Sequence, residues 1–150
     1  MTYDEAVAYL LGLGHETLAV KLGLANVTRL LAAVGSPEKS FPAVQIAGTN
    51  GKGSTAAFLD AICRAARIRA GLYTSPHLVR LTERVRVAGR EIARDEFARQ
   101  VARVREAAFE VRDEAGALPS FFEQTTAAAL SRMAAAFSAA ISRSVAPKYS

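Results

Sequence analysis

Apolar residues recur at helical spacing in the first part of the chain. Thr2 and Glu5 have the spacing of a capping box, and the apolar positions behind them predict a helix over residues 3–13. A second helix is predicted over residues 26–34, because Gly35 directly after it is a typical helix stop. The pattern between the two helices is less regular and predicts no element.

Two further helical patterns follow in the second half of the chain. Asp95 is placed to cap a long helix whose buried stripe recurs every third or fourth residue. The members of this stripe are Phe97, Val101, Val104, Ala108 and Val111. A last helical stretch is predicted over residues 120–133. Residues 134–150 are rich in alanine and serine and lack a bulky apolar stripe, so we interpret them as an atypical tail.

The middle of the chain predicts strands as well as a helix. An apolar run at residues 43–47 leads through a glycine-rich turn into a helical pattern over residues 55–67. The buried face of that helix should carry Phe58, Leu59, Ile62 and Ala66. Residues 70–73 then predict a second strand, and this βαβ order indicates an α/β fold with a parallel sheet and flanking helices. Residues 83–92 alternate charged and apolar side chains around Ala88-Gly89, which predicts a short hairpin.

The turn between the first strand and its helix has the composition of a phosphate-binding loop. Its sequence is Gly48-Thr49-Asn50-Gly51-Lys52-Gly53-Ser54-Thr55. Glycines lack Cβ atoms, so backbone N–H groups can approach phosphate oxygens, and the amino-terminal end of a helix dipole favours anions. Lys52 would add a positive charge at the phosphates, and Ser54 or Thr55 would offer a hydroxyl to a phosphate or to Mg²⁺.

This loop departs from the common P-loop pattern in two places. The pattern G-x-x-x-x-G-K-[ST] requires a glycine where Ile46 stands and a hydroxyl where Gly53 stands. A glycine-rich turn with an incidental lysine is therefore the alternative interpretation. A second loop favours ligand binding, since residues 74–77 also follow a strand and ligands of parallel sheets bind beyond the carboxyl ends of the strands. We expect residues 74–77 to lie beside the glycine loop.

Composition narrows the functional classes. The chain has 150 residues, of which 51% are hydrophobic and 22% charged, as in a single globular domain. The net charge of +5 is spread along amphipathic segments, which disfavours a nucleic-acid partner. Cys63 is the single cysteine, so neither a disulfide nor a cysteine metal cluster is expected. With no membrane-length apolar run and an acidic start unlike a signal peptide, we expect a cytoplasmic protein. We also expect a monomer.

Several motifs, in the same order, resemble those of the Mur ligase superfamily, most closely folylpolyglutamate synthase and dihydrofolate synthase. The form of the glycine loop carries this resemblance first, and Leu22-Gly23-Leu24 precedes it where the family has a similar segment near the pterin. Residues 73–78 resemble the family's loop whose serine ligates Mg²⁺, and residues 82–92 follow in the family's form. Residues 120–123 resemble the stretch that contacts folate or dihydropteroate.

The resemblance implies an ATP-dependent amide ligase that joins L-glutamate to a folate or to dihydropteroate. ATP would phosphorylate the substrate carboxylate, and the amine of glutamate would displace phosphate from the acyl phosphate. By the same resemblance residues 48–55 hold ATP, Lys52 acts on the transferred phosphoryl group, and Ser75, with Ser54 as a second candidate, holds Mg²⁺. The implied pterin or folate contacts are Lys21, Leu22, Gly23, Ser120, Phe121, Phe122 and Glu123.

The resemblance covers residues 1–133 and stops there. The family continues with a Glu-Val-Gly-Leu-Gly-Gly-type motif, an Asp-His motif, a carbamylated lysine and a glutamate-binding domain, and none of these is in the sequence. We interpret residues 1–133 as the amino-terminal part of the ATP-binding domain and hypothesise that the chain is truncated or frame-shifted after it. A non-catalytic Mg·ATP-binding module, a basic nucleic-acid binder and a marginally folded fragment stay open as alternatives. Both synthases, and a bifunctional enzyme, fit these residues.

Overall fold

Helices predominate in the computed structural model, which describes residues 1–14, 24–114 and 116–145. The helices are α1 (Tyr3–Gly12), α2 (Ala25–Ala33), α3 (Lys52–Ala65), α4 (Arg94–Glu110) and α5 (Phe121–Val145). The strands are β1 (Gly71–Tyr73), β2 (Val85–Val87) and β3 (Arg90–Glu91), with short 3₁₀ helices at Pro37–Ser40 and Leu81–Arg84. Within these ranges, none of the helices has the length and hydropathy needed to cross a lipid bilayer.

The predicted helices are present, with differences at their ends. The capping box at α1 is confirmed: the Thr2 amide donates to the Glu5 carboxylate at 2.7 Å, and the Glu5 amide donates to the Thr2 hydroxyl at 3.3 Å. The prediction that Asp95 caps α4 is wrong, because that helix begins one residue earlier. Asp95 lies in the first turn, where its carboxylate pairs with Arg99 one turn later at 2.9 Å.

The core lies where four of the helices pack together. α4 packs against α1, α2 and α5, and α5 also packs against α1, α2, β1, β2 and the Pro37–Ser40 turn. The predicted stripe of α4 is buried as far as Ala108, and Val111 is half-buried at the end of the helix. α5 continues beyond Met133 to Val145, so the first part of the predicted tail is helical and residues 146–150 lie outside the described residues.

The sheet formed by the described residues is antiparallel. β2 pairs with β1 on one side and with β3 on the other, and the predicted hairpin turn at Ala88 and Gly89 is present, with positive φ at both residues. The predicted parallel pairing of residues 43–47 with β1 does not form, since residues 43–47 are outside the sheet and Val44 is 75% exposed. A parallel pair needs cover on both faces, and this segment has too little.

The orientation of α3 explains why no helix face covers residues 43–47. The face predicted to be buried is exposed, and it consists of Phe58, Leu59, Ile62 and Ala66. Asp60 is the residue of α3 that is buried instead, with its carboxylate bonded to the Arg64 side chain at 2.9 Å. The apolar side of α3 therefore points to solvent rather than onto residues 43–47.

The connection after β1 is closed by the Glu83 carboxylate. It accepts hydrogen bonds from the amides of three successive residues, Leu78 at 3.0 Å, Val79 at 3.4 Å and Arg80 at 2.9 Å. The Leu78 bond is the largest cause that lowers the pKa of Glu83, because these bonds favour the ionised form. We call these three hydrogen bonds the Glu83 bracket. They fix the end of the loop that begins at Thr74.

We predict that two neighbouring leucines of α1 differ sharply in their contribution to stability. Leu10 is 1% exposed and Leu11 is 58% exposed. Leu10→Ala removes buried methyl groups and leaves a cavity, so we expect a loss of about 2–5 kcal/mol in the free energy of unfolding. Leu11→Ala should change it by less than about 0.5 kcal/mol. Urea unfolding followed by circular dichroism measures both, and equal losses would show that α1 does not pack as described.

We also predict that the Leu78 amide proton reports the titration of Glu83. Because the folded pKa of Glu83 is below its ordinary value of 4.5, the bracket is intact above pH 4.5 and is lost as the pH falls through the lower folded value. The chemical shift of the Leu78 amide should therefore titrate with a midpoint below 4.5. Glu83→Gln should abolish this step, and a wild-type midpoint at or above 4.5 would contradict the bracket.

Candidate functional site

The glycine loop lies at the amino-terminal end of α3. Gly51 precedes the helix with φ of 75°, a left-handed conformation that glycine adopts without strain, and Gly48 also has a positive φ. The helix begins at Lys52, three residues earlier than predicted, so Lys52, Gly53 and Ser54 form its first turn. The backbone N–H groups of a first turn have no acceptor within the helix. The loop is exposed, and these donors are available to an anion.

Lys52 folds back over this loop. Its Nζ donates to the carbonyl of Gly48 at 2.5 Å and to the carbonyl of Thr49 at 3.0 Å. The ammonium group therefore lies over the backbone that precedes the helix while remaining exposed to solvent. This places one positive charge and the first-turn N–H groups of α3 in the same loop.

The two predicted hydroxyls behave differently. Thr55 donates its hydroxyl to the carbonyl of Gly51 at 3.0 Å, one turn back along the helix. Ser54 is exposed in the first turn. The side-chain hydrogen bonds of Lys52 and Thr55 end on carbonyls of residues 48–51, and the expected position of residues 74–77 beside the loop stays a prediction.

The second predicted loop, residues 74–77, follows β1 and is attached by hydrogen bonds to the Leu81–Arg84 turn. Ser75 is exposed, and its peptide bond to Pro76 is cis. The Thr74 amide donates to the Arg84 carbonyl at 3.0 Å, and the Nε of Arg84 donates to Nδ1 of His77 at 3.0 Å. Ser75 is thus presented to solvent between two attached residues.

The predicted substrate stretch is the beginning of α5. Ser120 and Glu123 form a capping box: the Ser120 amide donates to the Glu123 carboxylate at 2.7 Å, and the Glu123 amide donates to the Ser120 hydroxyl at 3.3 Å. Phe121 is buried, whereas Phe122 is 47% exposed. Of this stretch, Phe122 therefore offers the accessible apolar surface. The other predicted contacts, Lys21, Leu22 and Gly23, lie outside the described residues.

The structure brings the second loop and the start of α5 together. The guanidinium carbon of Arg84 lies 5.1 Å from the centre of the Phe121 ring. The Tyr73 hydroxyl, directly before the loop, lies 3.2 Å from the Thr125 hydroxyl and accepts from Thr126 at 3.3 Å. Arg84, which is bonded to Thr74 and His77, and Tyr73 therefore connect residues 74–77 to the start of α5, although the sequence separates the two stretches by more than forty positions.

Sequence reasoning missed Arg84. The alternating pattern of residues 83–92 assigned its charged members to a solvated face, yet Arg84, at the end of the 3₁₀ turn before β2, is buried against His77 and Phe121. Arg86, two residues later in β2, is exposed as the alternation predicts. The single available signal is that Arg84 belongs to the motif that resembles the ligase family. Among the described residues, no three His, Cys, Asp or Glu side chains form a metal-binding group.

Comparisons with known proteins agree on one group of enzymes, although no protein-family model matches the sequence. The chain is 43% identical over 130 residues to a probable bifunctional folylpolyglutamate synthase/dihydropteroate synthase of Haloferax volcanii, covering 87% of the chain and 15% of that relative. It is 44% identical over 86 residues to the dihydrofolate synthase/folylpolyglutamate synthase of Escherichia coli, covering 57% of the chain and 20% of the relative. The chain thus spans a fifth or less of the length of these relatives.

Solved structures give the same answer. A folylpolyglutamate synthase from Thermotoga maritima matches with a TM-score of 0.80 and 33% identity, over 89% of this chain and 30% of that one. The Escherichia coli FolC structure in complex with DHPP and ADP matches with a TM-score of 0.78 and 36% identity, over 91% of this chain and 31% of that one. A bifunctional enzyme with Mn, AMPPNP and L-glutamate bound also matches, with a TM-score of 0.74.

These matches confirm the predicted fold class, since the solved neighbours have the Mur ligase fold over about nine-tenths of this chain. The described residues form a helix-rich α/β fragment with one small antiparallel sheet. The resemblance inferred from the motifs is confirmed as well: this chain matches a part of proteins named folylpolyglutamate or dihydrofolate synthase, which are ligases.

Proposed function

We propose that this chain supplies the ATP-binding loop and part of the folate-binding surface of an ATP-dependent ligase that adds L-glutamate to a folate or to dihydropteroate. The observation that carries the proposal is that Arg84 and Tyr73 connect residues 74–77 to the start of α5, since these are the stretches we propose for the metal and for the substrate. The structures of similar enzymes hold ADP with DHPP, and AMPPNP with Mn and L-glutamate.

Nucleotide binding is assigned to residues 48–55. Phosphoryl transfer needs charge neutralisation and positioning more than covalent help. The first-turn amides of α3 would hold phosphate oxygens, and Lys52 would exchange its two carbonyl contacts for them. The Thr55 hydroxyl already donates within the helix, so we favour Ser54 as the hydroxyl that faces the nucleotide.

The divalent cation is assigned to Ser75, with Ser54 as the second candidate. Mg²⁺ prefers oxygen ligands and keeps several waters, and it is usually bound through one or two protein groups and the substrate phosphates. An exposed serine hydroxyl offers one such oxygen and leaves the other positions to water and the phosphates. The cation would shield the charge that builds up on the phosphates during transfer.

The folate or dihydropteroate is assigned to the start of α5, with Lys21, Leu22 and Gly23 as further proposed contacts. Phe122 supplies an exposed aromatic face that suits a flat heterocycle. Ser120 and Glu123 satisfy each other in the capping box, so we propose that they shape the helix start and that Glu123 is not a general base. Residues 1–133 are proposed as the first part of the ATP-binding domain, with the exposed side of α3 buried against further strands in the longer enzymes.

We predict that Lys52→Ala weakens Mg·ATP binding by about 10–100-fold, since it removes a charge-assisted hydrogen bond. Isothermal titration calorimetry of the 150-residue chain measures this loss. Lys39→Ala removes the same charge from an exposed position outside the loop and is the matched control. If the two variants bind Mg·ATP with equal affinity, the glycine loop is a structural turn and not a nucleotide-binding site.

We predict that Phe122→Ala weakens dihydropteroate binding by about 5–30-fold, because an aromatic contact and its buried area are lost. Phe109→Ala is the control, since Phe109 is 44% exposed and lies at the end of α4. Fluorescence titration gives both affinities. If the Phe109 variant loses as much affinity as the Phe122 variant, or if neither loses any, the substrate assignment fails.

A further inference from the structure

Arg84 is a buried cation at the junction of the two neighbouring motifs. The residue is 3% exposed, its Nε donates to Nδ1 of His77 at 3.0 Å, and its guanidinium carbon lies 5.1 Å from the centre of the Phe121 ring. Burying a guanidinium costs free energy unless its partners are held in place. The contacts therefore constrain His77 and Phe121 as much as they hold Arg84.

The backbone of the same residue holds the other end of the loop. The Arg84 carbonyl accepts a hydrogen bond from the Thr74 amide at 3.0 Å. Ser75 and Pro76 lie between this attachment and the one at His77. Two attachments that flank a pair of residues restrict where the backbone of Ser75 lies, and hence which positions its hydroxyl can reach. The Glu83 bracket then fixes the residues that follow His77.

The third contact connects the loop to α5. A guanidinium over an aromatic face is a favourable cation–π pair, and it is stronger when water is excluded, as it is for the buried Phe121. Phe121 is the first residue of α5 and is adjacent to Ser120 and Phe122. A displacement of the helix start would therefore move the partner of Arg84.

We infer that Arg84 is a positioning residue that orients Ser75 toward a divalent cation and keeps it in register with the substrate-binding start of α5. The inference rests on the proposed function, because it takes Ser75 as a metal ligand and residues 120–123 as the substrate stretch. Arg84 acts through His77, Thr74 and Phe121. The bond from its Nε–H also requires His77 to carry its proton on Nε2.

The test compares Arg84→Met with Arg86→Met. Arg86 is the control because it loses the same charge from an exposed position two residues away. The measured quantities are the Mg²⁺ concentration that gives half-maximal ATP binding and the dissociation constant of dihydropteroate. We expect Arg84→Met to raise both by about 10–100-fold, as is typical when a group that orients a ligand is removed. Arg86→Met should change each by less than about twofold, and equal effects of the two variants would overturn the inference.

A double-mutant cycle separates positioning from general destabilisation. In a His77→Ala background, Arg84→Met should add little to the Mg²⁺ requirement, because the contact it removes is already lost. The effect on dihydropteroate should persist, since it runs through Phe121. Additive effects on both quantities in that background would indicate a merely structural role and would overturn the inference. Arg84→Lys keeps a cation and a donor and should recover part of both affinities; it replaces the Met variant if that variant does not fold.

The ¹⁵N spectrum of His77 tests the contact with Arg84 without any bound ligand. The wild-type chain should show an unprotonated Nδ1 that accepts a hydrogen bond, and Arg84→Met should convert this signal to a mixture of tautomers. If the wild-type chain binds neither Mg·ATP nor dihydropteroate, the proposed function fails, and this spectrum still decides whether Arg84 holds His77. An identical His77 spectrum in the Arg84 variant would overturn the inference.

Discussion

The packing of α5 is the constraint on which the rest of the described structure depends. α5 contacts α1, α2, α4, two strands and the Pro37–Ser40 turn, and its buried face includes three successive alanines, Ala127, Ala128 and Ala129. Alanine is small enough to let helix backbones approach closely, but it buries little area. Bulkier side chains are buried on α4, which packs against α5 and carries Val101 and Val104. The core therefore combines small buried side chains on α5 with larger ones on α4.

Polar contacts fix the start of α5 more tightly than apolar packing alone would. Gln124 is buried and bonded on both sides, accepting from the Tyr9 hydroxyl at 2.9 Å and donating to the Pro119 carbonyl at 2.8 Å. One residue later, Thr125 lies 3.2 Å from the Tyr73 hydroxyl. Satisfied buried polar groups specify a particular arrangement, because any shift would leave a donor or acceptor unpaired. The helix start is thereby held against both α1 and β1, the strand that leads into residues 74–77.

Most of the fold follows from local pattern, whereas the part that fails depends on long-range cover. The capping box at Thr2, the stripe of α4 and the turn at Ala88-Gly89 are set by neighbours within a few positions, and all three were predicted correctly. Residues 43–47 have the composition of a buried strand, but their pairing requires covering layers that the described chain does not place there. The periodicity of a sequence shows which face of a helix or strand is apolar, but it does not show which element packs against that face.

The candidate site also combines features that local sequence predicts with features that depend on long-range contacts. The glycine loop was evident from composition, because its glycines and lysine act through backbone and charge at one place in the sequence. Arg84 could not be recognised from alternation, since its burial depends on His77 and on Phe121, thirty-seven positions away. When the role of a residue is defined by a tertiary contact, the sequence around it carries no signal of that role. Arg84, which links residues 74–77 to the start of α5, is such a residue.

The hydrogen bonds of Lys52 bear on how the glycine loop can bind an anion. Its ammonium group is bonded to the carbonyls of Gly48 and Thr49, so a phosphate must compete with two existing bonds. The competition costs little, because both carbonyls are exposed and water can replace the lysine there. The gain is larger, since an ion pair with phosphate is assisted by charge and by the first-turn amides of α3. The folded-back lysine therefore favours the compact shape of the loop in the free protein without opposing the ligand.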